Sequence, residues 1–228
     1  MLTGSVRIDR RGEGECSAYD RVVTEAIAFT PFETYLDHQQ LAERRHELVG
    51  GRVYALAGGS ERHDLAAGLI YEALAPGARS GGCRPFTSNR LVRTLGGNAY
   101  YPDVMVACGP AAHRLYETDP ALIVEVLSPT LPPRGGGGPP GPVGGEDSTS
   151  CTGDLDRREK AVAYAESTLL GLLLLVDLSN RRMEAARPAG GRIHDWTVYG
   201  PGDVVSTAFG DIDVDVLCDA VDQTATTT

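Results

Sequence analysis

The apolar and polar positions of this chain change period several times, and each change marks an element. Thr30-Pro31-Phe32-Glu33 has the form of a capping box with proline at the first helical position, which predicts a helix to about Arg45. Residues 47–57 (ELVGGRVYALA) are two short β-rich runs around Gly50-Gly51, the pattern of a tight hairpin. After Gly58-Gly59, Ser60 can cap a second helix. Its stripe of Leu65, Leu69 and Ala73 with Ala66, Ile70 and Leu74 keeps helical spacing, and Pro76-Gly77 is expected to stop it. Three strand-like runs follow, at residues 83–94, 100–108 and 121–127. The last (ALIVEVL) is almost wholly apolar, as a central strand should be, and Glu125 stands out inside it.

Residues 131–150 hold seven Gly and five Pro, a composition with nothing to bury, and read as a flexible insertion. Asp156 to Glu159 forms a second capping box for a helix to about Glu166. Residues 169–178 then read as a buried strand, and residues 182–187 and 192–199 as a hairpin turning at Ala189-Gly190-Gly191. The C-terminal alternation DIDVDVL suggests a last edge strand before a polar tail at 223–228. The order helix, hairpin, helix, strands, helix, strand, hairpin is that of an α/β (α+β) fold, a mixed β-sheet core flanked by helices. It predicts a loose arm at 1–28 and a single domain over 29–222.

Length and composition narrow this picture. At 228 residues, 42% hydrophobic and 23% charged, the chain is globular and long enough to bury a core. No apolar run approaches the ~20 residues of a membrane span, and the first residues lack the apolar stretch of a secretory signal. Five scattered cysteines with no CxxC pair argue against a zinc cluster or a disulfide scaffold and favour a reducing cytoplasm. The net charge of −10 disfavours a simple nucleic-acid coat. Yet seven of the acids, and no Lys or Arg, lie after Arg192, which leaves 24 acids against 21 bases before that point. Lys160 is the only lysine among 21 Lys and Arg residues, so it marks a position where arginine is not an equivalent.

Candidate chemistry gathers on two of the strands. If 100–108 and 121–127 are neighbours, Asp103 and Glu125 face each other. A carboxylate in so apolar a strand is costly without a partner. That partner is either an arginine or solvent at a strand end, or a divalent metal such as Mg²⁺ or Mn²⁺ held by Asp103, Glu125 and the carbonyl of Val126. Lys160 is either a solvated residue or one that holds the attacking water or neutralises the phosphate. Glu47 opens the hairpin and, taken alone, reads as a surface glutamate. His63 is a capping residue, or a phosphate contact or base. No acid lies between Glu72 and Asp103, while Arg79, Arg84, Arg90 and Arg93 do. That stretch is either a solvated strand face or a basic approach for a polyanion.

The ordered series ELVGGRVYALAGGSERH, YYPDVMVAC, LIVEVLSPT, DRREKAVAY and LLLVD resembles the Uma family of bacterial restriction endonucleases, over about residues 29–217. The resemblance implies a PD-(D/E)xK nuclease fold and a Mg²⁺-dependent phosphodiesterase site acting on DNA. It matches Asp103 to the aspartate of the PD motif, Glu125 to the acid of the second strand, Glu47 to an acid near the first helix and His63 to a histidine of the GGSxxH segment. The parent motif has its lysine two residues after the acid, where this chain has Leu127. Lys160 matches the lysine that this family carries on the following helix. The Gly/Pro-rich insertion lengthens the usual link between them, at ~0.6 kcal/mol per doubling of a flexible loop. A homodimer is implied only by analogy with other nucleases of this fold. The competing expectation is a catalytically inactive module of the same fold that binds nucleic acid or a protein partner. A serine or cysteine hydrolase and a P-loop enzyme lack their motifs.

Overall fold

A computed structural model describes residues 29–56, 58–111, 113–127 and 160–225. The predicted arm, the insertion, the capping box at 156–159 and the last residues of the tail lie outside these. Helix α1 (Phe32–Leu41) leads into the hairpin β1 (His46–Val49) and β2 (Arg52–Ala55). Helix α2 (Glu61–Ser80) is followed by β3 (Arg84–Thr87), β4 (Leu91–Arg93), β5 (Ala99–Tyr100), β6 (Val104–Ala107), β7 (Tyr116–Glu117) and β8 (Leu122–Val126). Then come α3 (Ala161–Ala165), β9 (Leu172–Asp177), β10 (Arg182–Ala186), β11 (Trp196–Tyr199), β12 (Val204–Ser206), β13 (Asp211–Asp213) and α4 (Val214–Ala225).

The strands form a six-stranded sheet in the order β11-β10-β9-β8-β6-β3 and a five-stranded sheet in the order β2-β1-β5-β4-β7. Both are mixed, since β8 pairs parallel with β9 and β4 parallel with β7. The expected central strand is indeed central, and the expected neighbours β6 and β8 are antiparallel partners with Val104 opposite Val124.

Alternation along β6, β8 and β9 divides the core. Val104, Val106, Leu122, Val124, Val126, Leu172, Leu174 and Val176 face α2 and α4. Met105, Ile123, Leu173 and Leu175 face the other way, toward α3 and the Val49, Val92 and Tyr100 side chains of the second sheet. A third cluster packs Tyr35 and Leu36 of α1 on Leu48, Leu91 and Ala99. The hairpin turn depends on left-handed backbone at Gly50 and Gly51 (φ 55° and 76°), which glycine adopts without steric cost.

Several expectations change. Helix α1 has Pro31 at its N-cap, which offers no capping side chain, and it ends at Leu41 rather than Arg45, where the chain turns extended at Ala42 and the Gln39 side chain receives the His46 amide at 2.9 Å. Ser60 does cap α2, accepting from the His63 amide at 3.3 Å. But Pro76-Gly77 lies inside that helix, which continues to Ser80. Gly77 is needed there for a close approach: a Cβ would collide with the Phe209 carbonyl of the β12–β13 turn.

The two long strand-like runs each break, so that β3 and β6 serve one sheet and β4 and β5 the other. The C-terminal edge strand is also overturned: only Asp211–Asp213 is extended, and α4 follows. The apolar positions Val214, Leu217, Cys218 and Val221 are spaced for a helix, and Asp213 accepts the amides of Asp215 and Val216 at 2.9 Å to start it.

The cysteine argument is corrected as well. Cys83 and Cys108 form a disulfide. They flank the β3–β6 pairing of Arg84 with Ala107, so the ladder itself brings them together. Two paired cysteines no longer support a reducing compartment. Among the described residues, no helix is long and apolar enough to cross a membrane.

Candidate active site

Asp103 immediately precedes β6, and the register that sets Val104 against Val124 places it opposite Glu125. Glu125 is on the face that carries Met105, Ile123, Leu173 and Leu175, aligned to Leu175, while the Asp103 carboxylate meets the Val126 amide and His63. Glu47 reaches the same space from the second sheet. On β1 it shares a face with Val49, while Leu48 turns to the α1 cluster. Lys160 comes from the residue before α3, which packs on that face. Glu47, Glu125 and Lys160 therefore converge from three sequence-distant segments because two sheets and one helix enclose one layer of side chains.

The convergence is buried. Glu47, Glu125 and Lys160 are 2%, 3% and 7% exposed. Lys160 Nζ stands 3.1 Å from Glu47 Oε1 and 3.7 Å from Glu125 Oε2. It also lies 5.7 Å from the centre of the Tyr100 ring. Each carboxylate has further donors: the Tyr101 amide reaches Glu47 Oε1 at 3.1 Å, and the Tyr164 hydroxyl reaches Glu125 Oε1 at 2.8 Å. Such donors are what make buried charge tolerable. Burial, then the neighbouring Glu125 charge, push the Tyr164 hydroxyl well above the usual tyrosine range, so it serves as a donor.

Asp103 is the accessible member. Its Oδ2 accepts the Val126 amide at 2.8 Å and stands 3.2 Å from His63 Nε2. His63 arrives from the first turn of α2, on the opposite side of the sheet. The hydrogen bond to Asp103 raises the His63 pKa above its ordinary 6.5, with burial opposing and the Asp103 charge assisting. A raised folded-state value means that this contact stabilises the fold fully below pH 6.5 and loses that contribution as pH rises through the folded value. In metal-free protein, NMR titration should place the His63 midpoint above 6.5 in wild type and shift it back toward 6.5 in Asp103→Asn. A wild-type midpoint at or below 6.5 would contradict the contact.

The arginines expected as a basic approach have other described partners. Arg84 and Arg90 both donate to Glu117, at 2.9 Å and 2.6 Å for the shortest bonds, and Glu117 is 3% exposed. Arg90 also donates to the carbonyls of His113, Arg114 and Tyr116. Arg93 lies 4.2 Å from the Phe32 ring centre and pairs with Glu33, and Arg79 donates to the Tyr71 hydroxyl. The structure thus brings Glu47, Glu125 and Lys160 together, sets Asp103 against His63 and the amide of Val126 next to Glu125, and ties Arg84, Arg90 and Arg93 into separate contacts. Sequence reading missed Glu117, whose only signal was an acid in a short linker. It also missed Tyr164, one helical turn after Lys160, whose position in DRREKAVAY is its signal.

The donor set fits Mg²⁺ or Mn²⁺. It consists of hard carboxylate oxygens, without thiolate, and Mg²⁺ uses one or two carboxylates and fills its other positions with carbonyls and water. Among the described residues there is no cluster of three or more His, Cys, Asp and Glu side chains of the kind that makes an all-protein metal cage. Asp103 and Glu125 supply two carboxylates on neighbouring strands, fewer than such a cage needs.

Comparison with known proteins agrees with this architecture. Residues 32–134 match the Uma2 family model, described as "Putative restriction endonuclease". The matched stretch contains Glu47, His63, Asp103 and Glu125 and ends before Lys160. An uncharacterized protein of Synechocystis sp. is 31% identical over 101 residues, which is 43% of this chain and 53% of that protein. The chain thus spans about half the length of that curated relative. The crystal structure of a "putative nuclease belonging to DUF820" from Anabaena variabilis superposes with a TM-score of 0.59 at 14% identity, covering 84% of this chain and 98% of that one. The fold is shared with that protein, and the expected resemblance to the Uma family is borne out by the family match.

Proposed function

From the Uma2 pattern of residues 32–134, we propose that this chain is a Mg²⁺- or Mn²⁺-dependent endonuclease that hydrolyses DNA phosphodiester bonds. The observation that carries the reading is the β6–β8 register, which continues to set Asp103 opposite Glu125, with the Asp103 carboxylate on the Val126 amide and the lone lysine beside Glu125. Asp103, Glu125 and the Val126 carbonyl are the proposed metal ligands. A metal bound there supplies Lewis acidity toward a phosphate oxygen and a water acidified for attack.

The protein's own groups supply the rest. Lys160 carries a compact positive charge into a low-dielectric layer, where it can orient water or offset the charge that accumulates on phosphorus oxygens. Glu47 holds that ammonium in place through the 3.1 Å contact. His63 lies at the more open side of the site, with Nε2 on Asp103 and Nδ1 3.4 Å from Asp64, and is the proposed phosphate contact. The acidic charge after Arg192 opposes DNA, so engagement should be salt-sensitive and metal-dependent.

The test is incubation of wild-type protein with supercoiled and single-stranded DNA in Mg²⁺ or Mn²⁺, with and without chelator. Products that appear only with metal are expected. Absence of both cleavage and calorimetric metal binding would instead support a non-catalytic module.

A further inference from the structure

We propose that Tyr164 is a positioning residue that fixes the orientation of the Glu125 carboxylate for metal binding, an inference that rests on the metal-nuclease reading of this site. Its hydroxyl donates to Glu125 Oε1 at 2.8 Å, and the side chain is 1% exposed. Lys160 addresses the other oxygen, Oε2, at 3.7 Å. The two residues are four apart, one helical turn, so a single stripe along the start of α3 presents an ammonium and a hydroxyl to the two oxygens of one carboxylate.

The ring that carries the hydroxyl is itself constrained. It meets Tyr100 edge-on, with centroids 5.4 Å apart and planes at 69°. Tyr100 lies beneath the Lys160 ammonium, 5.7 Å from its ring centre. The helix is anchored past its end: Glu166 accepts the Gly96 amide at 3.0 Å, and Asp119 accepts the Ser167 and Thr168 hydroxyls at 3.1 Å. The hydroxyl is therefore held by packing rather than by its own bond to Glu125. A glutamate has three side-chain torsions, and a ligand carboxylate free to turn loses affinity for its metal. A fixed donor on one oxygen removes that freedom and holds the carboxylate plane in place, with Lys160 beside the second oxygen. Hydrogen-bonding partners of metal ligands typically carry about 10–100-fold in metal affinity or activity.

The experiment is Tyr164→Phe, which keeps the ring and removes the hydroxyl. Mg²⁺ affinity is read by calorimetry, cleavage as kcat and KM separately, and folding by thermal unfolding. Mg²⁺ affinity should weaken about tenfold or more and kcat should fall about 10–100-fold, while KM for duplex DNA stays within about twofold. Mg²⁺ affinity and kcat both near the wild-type values, with or without a loss of thermal stability, would overturn the inference. If Tyr164→Phe does not fold, 3-fluorotyrosine at position 164 keeps the ring and alters only the donor strength. Mg²⁺ affinity must then change at unaltered stability, and unchanged affinity overturns the inference. Wild-type protein that neither binds Mg²⁺ nor cleaves DNA overturns the metal-nuclease reading itself, and this inference with it.

Discussion

Lys160→Ala should lower the stability of the fold by about 3 kcal/mol and cut cleavage at least about 100-fold. The stability loss follows from what the substitution leaves behind. Glu47 and Glu125 are 2% and 3% exposed, and Lys160 is the cation between them. Removing one member of a buried charged group costs more than the group contributes, because the remaining charges stay desolvated. The Tyr101 amide and the Tyr164 hydroxyl compensate in part, which keeps the expectation at the lower end of that range. The catalytic loss follows from removing a fixed charge in a layer that excludes water.

Urea unfolding separates the two effects. If the carboxylates accept a divalent cation, Mg²⁺ should restore part of the lost stability in Lys160→Ala, because a ligand that binds only the folded state raises its stability. Lys160→Ala as stable as wild type without metal would contradict the buried triad.

Asp103→Ala should reduce cleavage about 1,000-fold or more, the largest catalytic effect expected. Losing the more accessible proposed ligand removes several kcal/mol of transition-state stabilisation, and ~1.4 kcal/mol is a factor of ten. Its cost to stability should be smaller, about 1–2 kcal/mol, for leaving the Val126 amide without its acceptor. The pair of variants therefore has opposite profiles: Lys160→Ala is chiefly a stability variant that also loses activity, and Asp103→Ala chiefly an activity variant. Denaturation midpoints measured beside cleavage rates check that contrast.

The parts of the fold legible in the sequence are those fixed by local pattern. The β1–β2 hairpin followed from two glycines between β-rich runs, and the central place of β8 from its unbroken apolar run. Glu125 was conspicuous for the same reason. The meeting of Asp103 and Glu125 depended on the two strands being neighbours, which their patterns allowed but did not require. What escaped depends on long-range register. One apolar run can serve two sheets, and in residues 83–94 only the turn formers Ser88-Asn89 hint that β3 and β4 part company.

The same applies to the Cys83–Cys108 bridge, since 25 residues of separation carry no information on pairing until β3 is laid against β6. At the C-terminus two periods overlap: DIDVD alternates, while Val214, Leu217, Cys218 and Val221 repeat every turn of a helix. The arginine stretch shows another limit of local pattern. A local excess of positive charge is visible in sequence, but its buried partner Glu117, from β7, is not.

The most direct measurement is the nicking of supercoiled DNA in Mg²⁺ by wild-type protein and by Asp103→Ala, purified identically and shown to be folded. Wild type should nick in a metal-dependent way, abolished by chelator, and the variant should not nick above background. Nicking by Asp103→Ala at the wild-type rate would contradict it.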